Sequence, residues 1–173
     1  AVVNRGATAA HLTLTYIPYA TGTPVPRTAT LAAGETQRWK DILVSLFGFG
    51  ATETPKGSLR LEADARLLVT SRTYNKPASG SFGQSYPALT RYDGFDRTAT
   101  GYIGQLVKSS AFRSNLGVVN LGTADAAFTV TLHNRTGAQL GTTLSRTVGP
   151  GQYFQWDKVF DLAGVGDTLL AYA

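Results

Sequence analysis

The sequence predicts an all-β chain in which one antiparallel sandwich unit occurs twice. Alternation is the first observation. In residues 10–17 (AHLTLTYI), Leu12, Leu14 and Tyr16 share one face and His11, Thr13 and Thr15 the other, the signature of a half-buried strand. Punctuation is the second. Nineteen glycines and seven prolines break the chain into short runs, with turn signals at intervals of roughly 8–12 residues, as in an antiparallel sandwich. Self-similarity is the third. Residues 2–15 (VVNRGATAAHLTLT) and 118–131 (VVNLGTADAAFTVT) are identical at both valines, Asn4/Asn120, Gly6/Gly122, Ala10/Ala126, Thr13/Thr129 and Thr15/Thr131. A repeated supersecondary unit follows.

The elements come in order. After 10–17, strands are expected at 27–31, 36–39, 58–62 and 66–74, the last two as a hairpin. Leu59 and Leu61 alternate there with Arg60 and Glu62. Between them, residues 41–47 (DILVSLF) offer Asp41 as an N-cap and apolar pairs Ile42/Leu46 and Leu43/Phe47 at i,i+4, enough for a short helix. Residues 77–101 are rich in Gly, Ser, Pro and aromatics, the composition of a linker or long surface loop. Further strands are expected at 102–108, 112–120, 126–133, 142–148, 152–156 and 168–172. A second short helix is expected at 157–164, with Asp157 as its cap.

Shifted by one position, the repeat continues through Thr30/Thr147, Gly34/Gly151 and Trp39/Trp156, each Trp followed by Lys and Asp in one order or the other. The expected organisation is a first sandwich repeat at 1–77, a linker or long loop at 78–100, and a second repeat at 101–173 that lacks its last strand. Each copy lacks an element that the other possesses. Two explanations offer themselves: a chain trimmed at its ends, which the missing methionine also suggests, or strands supplied by a neighbour at an open sheet edge. The expected first core is Val3, Leu12, Leu14, Tyr16, Leu31, Trp39, Leu43, Leu59, Leu61 and Leu68. The second is Val119, Phe128, Val130, Leu132, Val148, Trp156, Phe160 and Leu169.

A family resemblance rests on Ser71–Asn75 in SRTYN, Phe82–Gln84 in FGQ, Phe112–Asn115 with Val118–Gly122, and the Gly-then-Trp turn from Gly151 to Trp156. In these features the chain resembles a little-characterised family of secreted bacterial proteins with tandem immunoglobulin-like β-sandwich modules. The resemblance implies two immunoglobulin-like units, a secreted, extracellular or cell-surface location, and a non-catalytic role. It supplies no catalytic residue.

Composition narrows the chemistry. There is no cysteine, which excludes disulfides, thiol nucleophiles and iron–sulfur ligation. The longest apolar run, 42–50, falls far short of the roughly 20 residues of a membrane-spanning helix. The two histidines, His11 and His133, lie on the polar faces of their strands at non-equivalent repeat positions, so no Ser–His–acid arrangement is expected. The acids are scattered. Asp157/Asp161 sit on a short helix, and Asp93/Asp96 offer calcium only two carboxylates, more simply a solvated turn. Gly48 and Gly50 lack the strand–loop–helix setting of a phosphate loop. Asn134-Arg135-Thr136 fits a glycosylation pattern but is read as an ordinary hairpin turn.

No catalytic, cofactor or metal residue is therefore expected, and no enzyme activity. The net charge of +5 is dispersed, which disfavours nucleic acid. Candidate ligand- or partner-binding residues are Tyr86, Arg91, Tyr92, Phe95, Arg97 and Tyr102, where cations interleave with aromatics. The expected role is structural, adhesive or assembly, with protein partners or neighbouring copies of itself. One alternative is a carbohydrate-binding module using those rings, although docking of the rings against the two units is the preferred reading of them. The other is a self-assembling filament or surface-layer subunit completed by strand exchange.

Overall fold

The computed structural model describes residues 1–19, 23–50, 52–75, 80, 82–90, 92–96 and 98–173. The chain divides into two compact units, Ala1–Asp93 and Gly94–Ala173, built from antiparallel strands and two single-turn helices.

The first unit contains β1 (Val2–Asn4), β2 (Ala10–Pro18), β3 (Val25–Leu31), β4 (Thr36–Gln37), α1 (Ile42–Ser45), β5 (Gly57–Ala63), β6 (Leu67–Asn75) and β7 (Phe82–Pro87). One sheet runs β4-β1-β6-β7 and the other β3-β2-β5. The alternation of β2 drives the arrangement. Ala10, Leu12, Leu14 and Tyr16 are buried together with Leu31 of β3, Val2 of the other sheet and Phe47 beyond α1. Burying a side chain of leucine size contributes about 1.5–3 kcal/mol, so this one strand supplies much of the unit's cohesion. The helix closes one end: Phe47 and Phe49 lie 5.9 and 5.0 Å from the Tyr16 ring, and Trp39, Ile42 and Leu43 pack on the same core.

The second unit contains β8 (Leu106–Lys108), β9 (Leu116–Val119), β10 (Ala126–Asn134), β11 (Gln139–Val148), β12 (Tyr153–Trp156), α2 (Val159–Leu162) and β13 (Thr168–Tyr172). Its sheets run β11-β10-β13-β8 and β12-β9. Leu132, Val130 and Ala171 of the larger sheet meet Leu116 and Trp156 of the smaller one and Val159 and Phe160 of α2 in a single buried cluster. Here the helix is more deeply embedded, because both of its first two side chains are buried.

The two units share details of register. Val2 opposes Gln37 in the β1–β4 pair, and Val118 opposes Phe154 in the β9–β12 pair. Each Trp leads to a non-glycine residue in the left-handed region, Asp41 (φ 56°) and Lys158 (φ 52°), which caps the helix. The Asp41 side chain accepts from the Val44 backbone N–H, whereas Lys158 makes no side-chain cap bond. The cap expected at Asp157 is thus corrected by one residue.

Several other expectations are corrected. β1 and β7 were not among the expected strands. β7 forms within the 78–100 segment read as a linker or loop, because its backbone pairs with β6 from Thr70↔Pro87 to Asn75↔Phe82. In the cores, Val3 gives way to Val2, and Leu68 to Leu67 and Val69. Val119 likewise gives way to Leu116 and Val118. The cause in β1 and β9 is a polar residue: Asn4 and Asn120 point inward and set the phase of their strands. Leu59 is exposed on the edge strand β5. Leu169 is 74% exposed because the ladder between β13 and β8 slips between Thr168 and Ala171, with Leu170 in the left-handed region, so that Ala171 turns inward instead.

Candidate functional site

The candidate residues are spread over both units. Tyr86 stands on β7 opposite Ser71, whose Oγ donates to the Tyr86 carbonyl at 3.2 Å, and the Tyr86 hydroxyl donates to Gln84 Oε1 at 3.3 Å. Tyr92 sits in a turn tied by Asp93, whose carboxylate accepts from the Thr90 N–H at 2.7 Å and the Thr90 hydroxyl at 2.8 Å. Phe95 lies over Gly101, where a Cβ would come within 2.8 Å of the ring. Arg91 and Arg97 lie outside the described residues. Tyr92, Phe95 and Tyr102 are 79%, 60% and 76% exposed.

Tyr102 joins a ring cluster that the sequence did not reveal. Its ring lies 6.3 Å from that of Tyr172, which stacks on His133 at 5.2 Å with only 14° between the planes. His133 and Tyr172 face each other across the β10–β13 ladder. The imidazole is oriented by the Gly137 carbonyl, 3.1 Å from Nδ1. A carbonyl only accepts, so Nδ1 carries a proton there. The cluster offers π faces with polar edges, a surface on which a sugar ring or a peptide can stack. The signal for it was register, since His133 and Tyr172 meet only once the strands are paired.

The acids are occupied locally. Asp96 accepts from the Thr98 N–H and hydroxyl at 2.8 and 2.6 Å. The Thr90 and Thr98 bonds hold Asp93 and Asp96 below the usual carboxylate value. Asp161 pairs with Lys108 at 2.5 Å, and that contact lowers it as well. His11 pairs with Asp64 through Nδ1 at 2.8 Å on an exposed surface. Asn134 closes the β10–β11 hairpin, accepting from the Thr136 N–H, the Thr136 hydroxyl and the Ala138 N–H. Among the described residues there is no group of three or more His, Asp or Glu placed to hold a metal ion. No helix among them is long and apolar enough to cross a membrane.

Asn4 and Asn120 are, with Thr15, the buried polar residues among the described ones. Each Oδ1 accepts from the N–H two residues ahead, Gly6 and Gly122, at 2.8 Å. Each Nδ2 donates to the carbonyl four residues ahead, Thr8 at 2.7 Å and Ala124 at 2.8 Å. A shallow apolar cleft of about 360 Å³ lies beside Tyr16, lined by Pro18, Val25, Phe49, Glu53, Thr54 and Pro55. Two of its polar side chains are engaged: the Tyr16 hydroxyl donates to the Lys56 carbonyl, and Glu53 accepts from the Gly50 N–H. Burial raises the Tyr16 phenol above its ordinary value.

No family model, curated protein or solved structure matches the chain.

Proposed function

We propose that the chain repeats one immunoglobulin-like sandwich unit and serves as a non-catalytic structural, adhesive or assembly module of a bacterial secreted or cell-surface protein. The observation that carries this reading is the matched pair Asn4 and Asn120. A buried polar group is costly unless fully bonded, and here both are spent on holding backbone in place. A reaction centre need be present only once; a scaffold position recurs with its scaffold. Support also comes from the common β1–β4 and β9–β12 register and from β2 and β10, each flanked by the strand that follows it and by the strand after the helix. The extracellular setting rests on the resemblance carried by residues 71–75, 82–84, 112–115 and 118–122. Beads coated with the chain test the role. They are expected to attach to one another or to bacterial surface material without consuming any substrate. Turnover of a substrate that a single side-chain replacement abolishes would overturn the reading.

A second reading, carbohydrate binding, is favoured by the exposed Tyr102–Tyr172–His133 cluster. A glycan array decides it: binding that disappears in Tyr102→Ala while the fold is retained supports the reading, and an array without signal removes it.

A further inference from the structure

We propose that the cleft beside Tyr16 is a ligand site of the first unit that takes a small organic ammonium ion. An apolar or aromatic body sits between the rings and prolines of the cleft, and Glu53 holds the ammonium group. The site belongs to this unit alone and goes beyond the assembly role, which needs no such ligand.

The cleft is built by a loop that the second unit does not have. Residues 46–56 connect α1 to β5, whereas only residues 163–167 connect α2 to β13. The longer connection supplies Phe49, Glu53 and Pro55 to the cleft, and β2 supplies Tyr16, whose counterpart across the repeat is Leu132. The set of ring, acid and proline therefore does not recur, unlike the scaffold positions Asn4 and Asn120. A feature confined to one copy is not required by the shared fold, and loops set on a rigid scaffold are where binding residues concentrate.

The walls are fixed before any ligand arrives. The Lys56 carbonyl accepts from the Tyr16 hydroxyl and from the Tyr19 N–H, both at 2.8 Å, which ties the end of the loop to β2. Gly57 permits this closeness, since a Cβ there would collide with the Ile17 carbonyl oxygen and crowd the Tyr16 ring. The Phe49 ring meets that of Tyr16 edge to face at 5.0 Å. Pro18 and Pro55 add stiff apolar surface. At about 360 Å³, the space falls within the roughly 300–1,000 Å³ of small-molecule sites.

Charge selects the ligand. Among the described residues that line the cleft, Glu53 is the charged one, with no lysine or arginine beside it. A reciprocal pair of bonds aims its carboxylate: the Glu53 N–H donates to the Gly50 carbonyl at 3.0 Å, and the Gly50 N–H donates to Glu53 Oε2 at 2.6 Å. Oε1 has no protein donor among the described residues. Lys56 is engaged elsewhere, its ammonium standing over the Tyr19 ring, 4.2 Å from the centroid. A neutral apolar ligand seated here would strip water from Oε1 and leave it unbonded, which is costly. An anion would face the carboxylate with no cation to hold it. An ammonium instead donates to Oε1 in a charge-assisted bond and is attracted to the electron-rich rings of Tyr16 and Phe49. The apolar body attached to it covers Val25 and the prolines.

The test titrates benzylammonium, benzyl alcohol and benzoate into the full chain and follows backbone amide NMR shifts. The three probes share a ring and differ in the group that meets Glu53. Benzylammonium is expected to shift Tyr16, Gly50 and Glu53 saturably, with a dissociation constant of about 1 mM, and the other two to bind at least about fivefold more weakly. Glu53→Gln keeps an oxygen for the Gly50 N–H but removes the charge. It is expected to weaken benzylammonium about tenfold and to leave benzyl alcohol unchanged. Glu62→Gln, at an exposed acid paired with Arg60 on β5, is the control and should change nothing. If Glu53→Gln disturbs the loop, the comparison of probes on the wild-type chain still decides. Equal binding of the three probes, a preference for benzoate, or shifts confined to Tyr102, His133 and Tyr172 overturns the proposal. So does a lack of saturation at about ten times the expected constant. Any of these results sinks the ligand site and leaves the assembly reading to its own test.

Discussion

Asn120 reaches across the second unit to donate to the carbonyl of Val148 at 2.8 Å, stitching the end of β9 to the end of β11 in the opposite sheet. Asn4 makes the corresponding stitch to Leu31 at 3.2 Å, and adds one to Ala32 at 3.0 Å. Replacing either by alanine leaves several buried backbone groups without partners, each worth about 1–3 kcal/mol when orphaned. Asn4→Ala and Asn120→Ala are expected to cost about 3 kcal/mol each, read as shifts of the urea midpoint. A loss below about 1 kcal/mol in either would count against the stitch.

Gly141 sits at φ 62°, and a Cβ there would lie 2.1 Å from the Ala163 carbonyl oxygen. That carbonyl accepts from the Thr142 N–H at 2.9 Å, so it cannot retreat without breaking the contact between the β11 hairpin and the end of α2. Gly141→Ala is expected to cost about 3 kcal/mol or more. Gly104 has open space around its Cβ direction and no positive φ; Gly104→Ala should change stability by less than about 0.5 kcal/mol. Thermal melts of the two variants check the contrast.

Asp64 accepts from the His11 backbone N–H at 2.8 Å and faces the His11 ring at 2.8 Å. Those two contacts, the backbone bond first, hold its carboxyl below the ordinary value of 3.8. A carboxyl depressed in the folded state stabilises the fold above its unfolded value, and that contribution is lost as pH falls through the folded one. Wild-type stability should therefore fall more steeply below pH 3.8 than that of Asp64→Asn, with the two parallel above it. Urea midpoints across the acid range give the comparison.

Tyr102 and Tyr172 separate surface chemistry from packing. The exposed ring of Tyr102 can be removed with little effect, so Tyr102→Ala should stay within about 0.5 kcal/mol of the wild type. Tyr172 is half-buried and touches both Tyr102 and His133. Tyr172→Ala should cost about 1–2 kcal/mol, visible as a lower melting temperature.

Much of the fold was legible, because the strands that alternate most regularly bury the most. β2 and β10 were evident from Leu12, Leu14, Val130 and Leu132, and both single-turn helices from their apolar pairs. Hidden from the sequence was the phase of β1 and β9. Apolarity argues for Val3 and Val119 inside, yet the inward positions belong to Asn4 and Asn120, whose value lies in bonds to distant backbone. β7 was hidden for a related reason: FGQSYP has little alternation, and its strand character comes from pairing with β6. The ring cluster depends on the His133↔Tyr172 register, which no local pattern encodes.

The residue that follows each Trp-Lys or Trp-Asp step carries a further consequence. Asp41 and Lys158 differ in charge and size but adopt the same left-handed backbone, a conformation that costs an ordinary residue about 1–2 kcal/mol. Two unlike side chains held in one unfavourable geometry mean that the path of the chain is imposed from outside, by the Trp and helix packing on either side. Strain of this kind is removable. Asp41 recovers part of the cost through its bond to Val44, so glycine there should be nearly neutral. Lys158 has no such bond, and Lys158→Gly should raise stability by up to about 1 kcal/mol. The molecule thus holds an unused reserve of stability in its second unit.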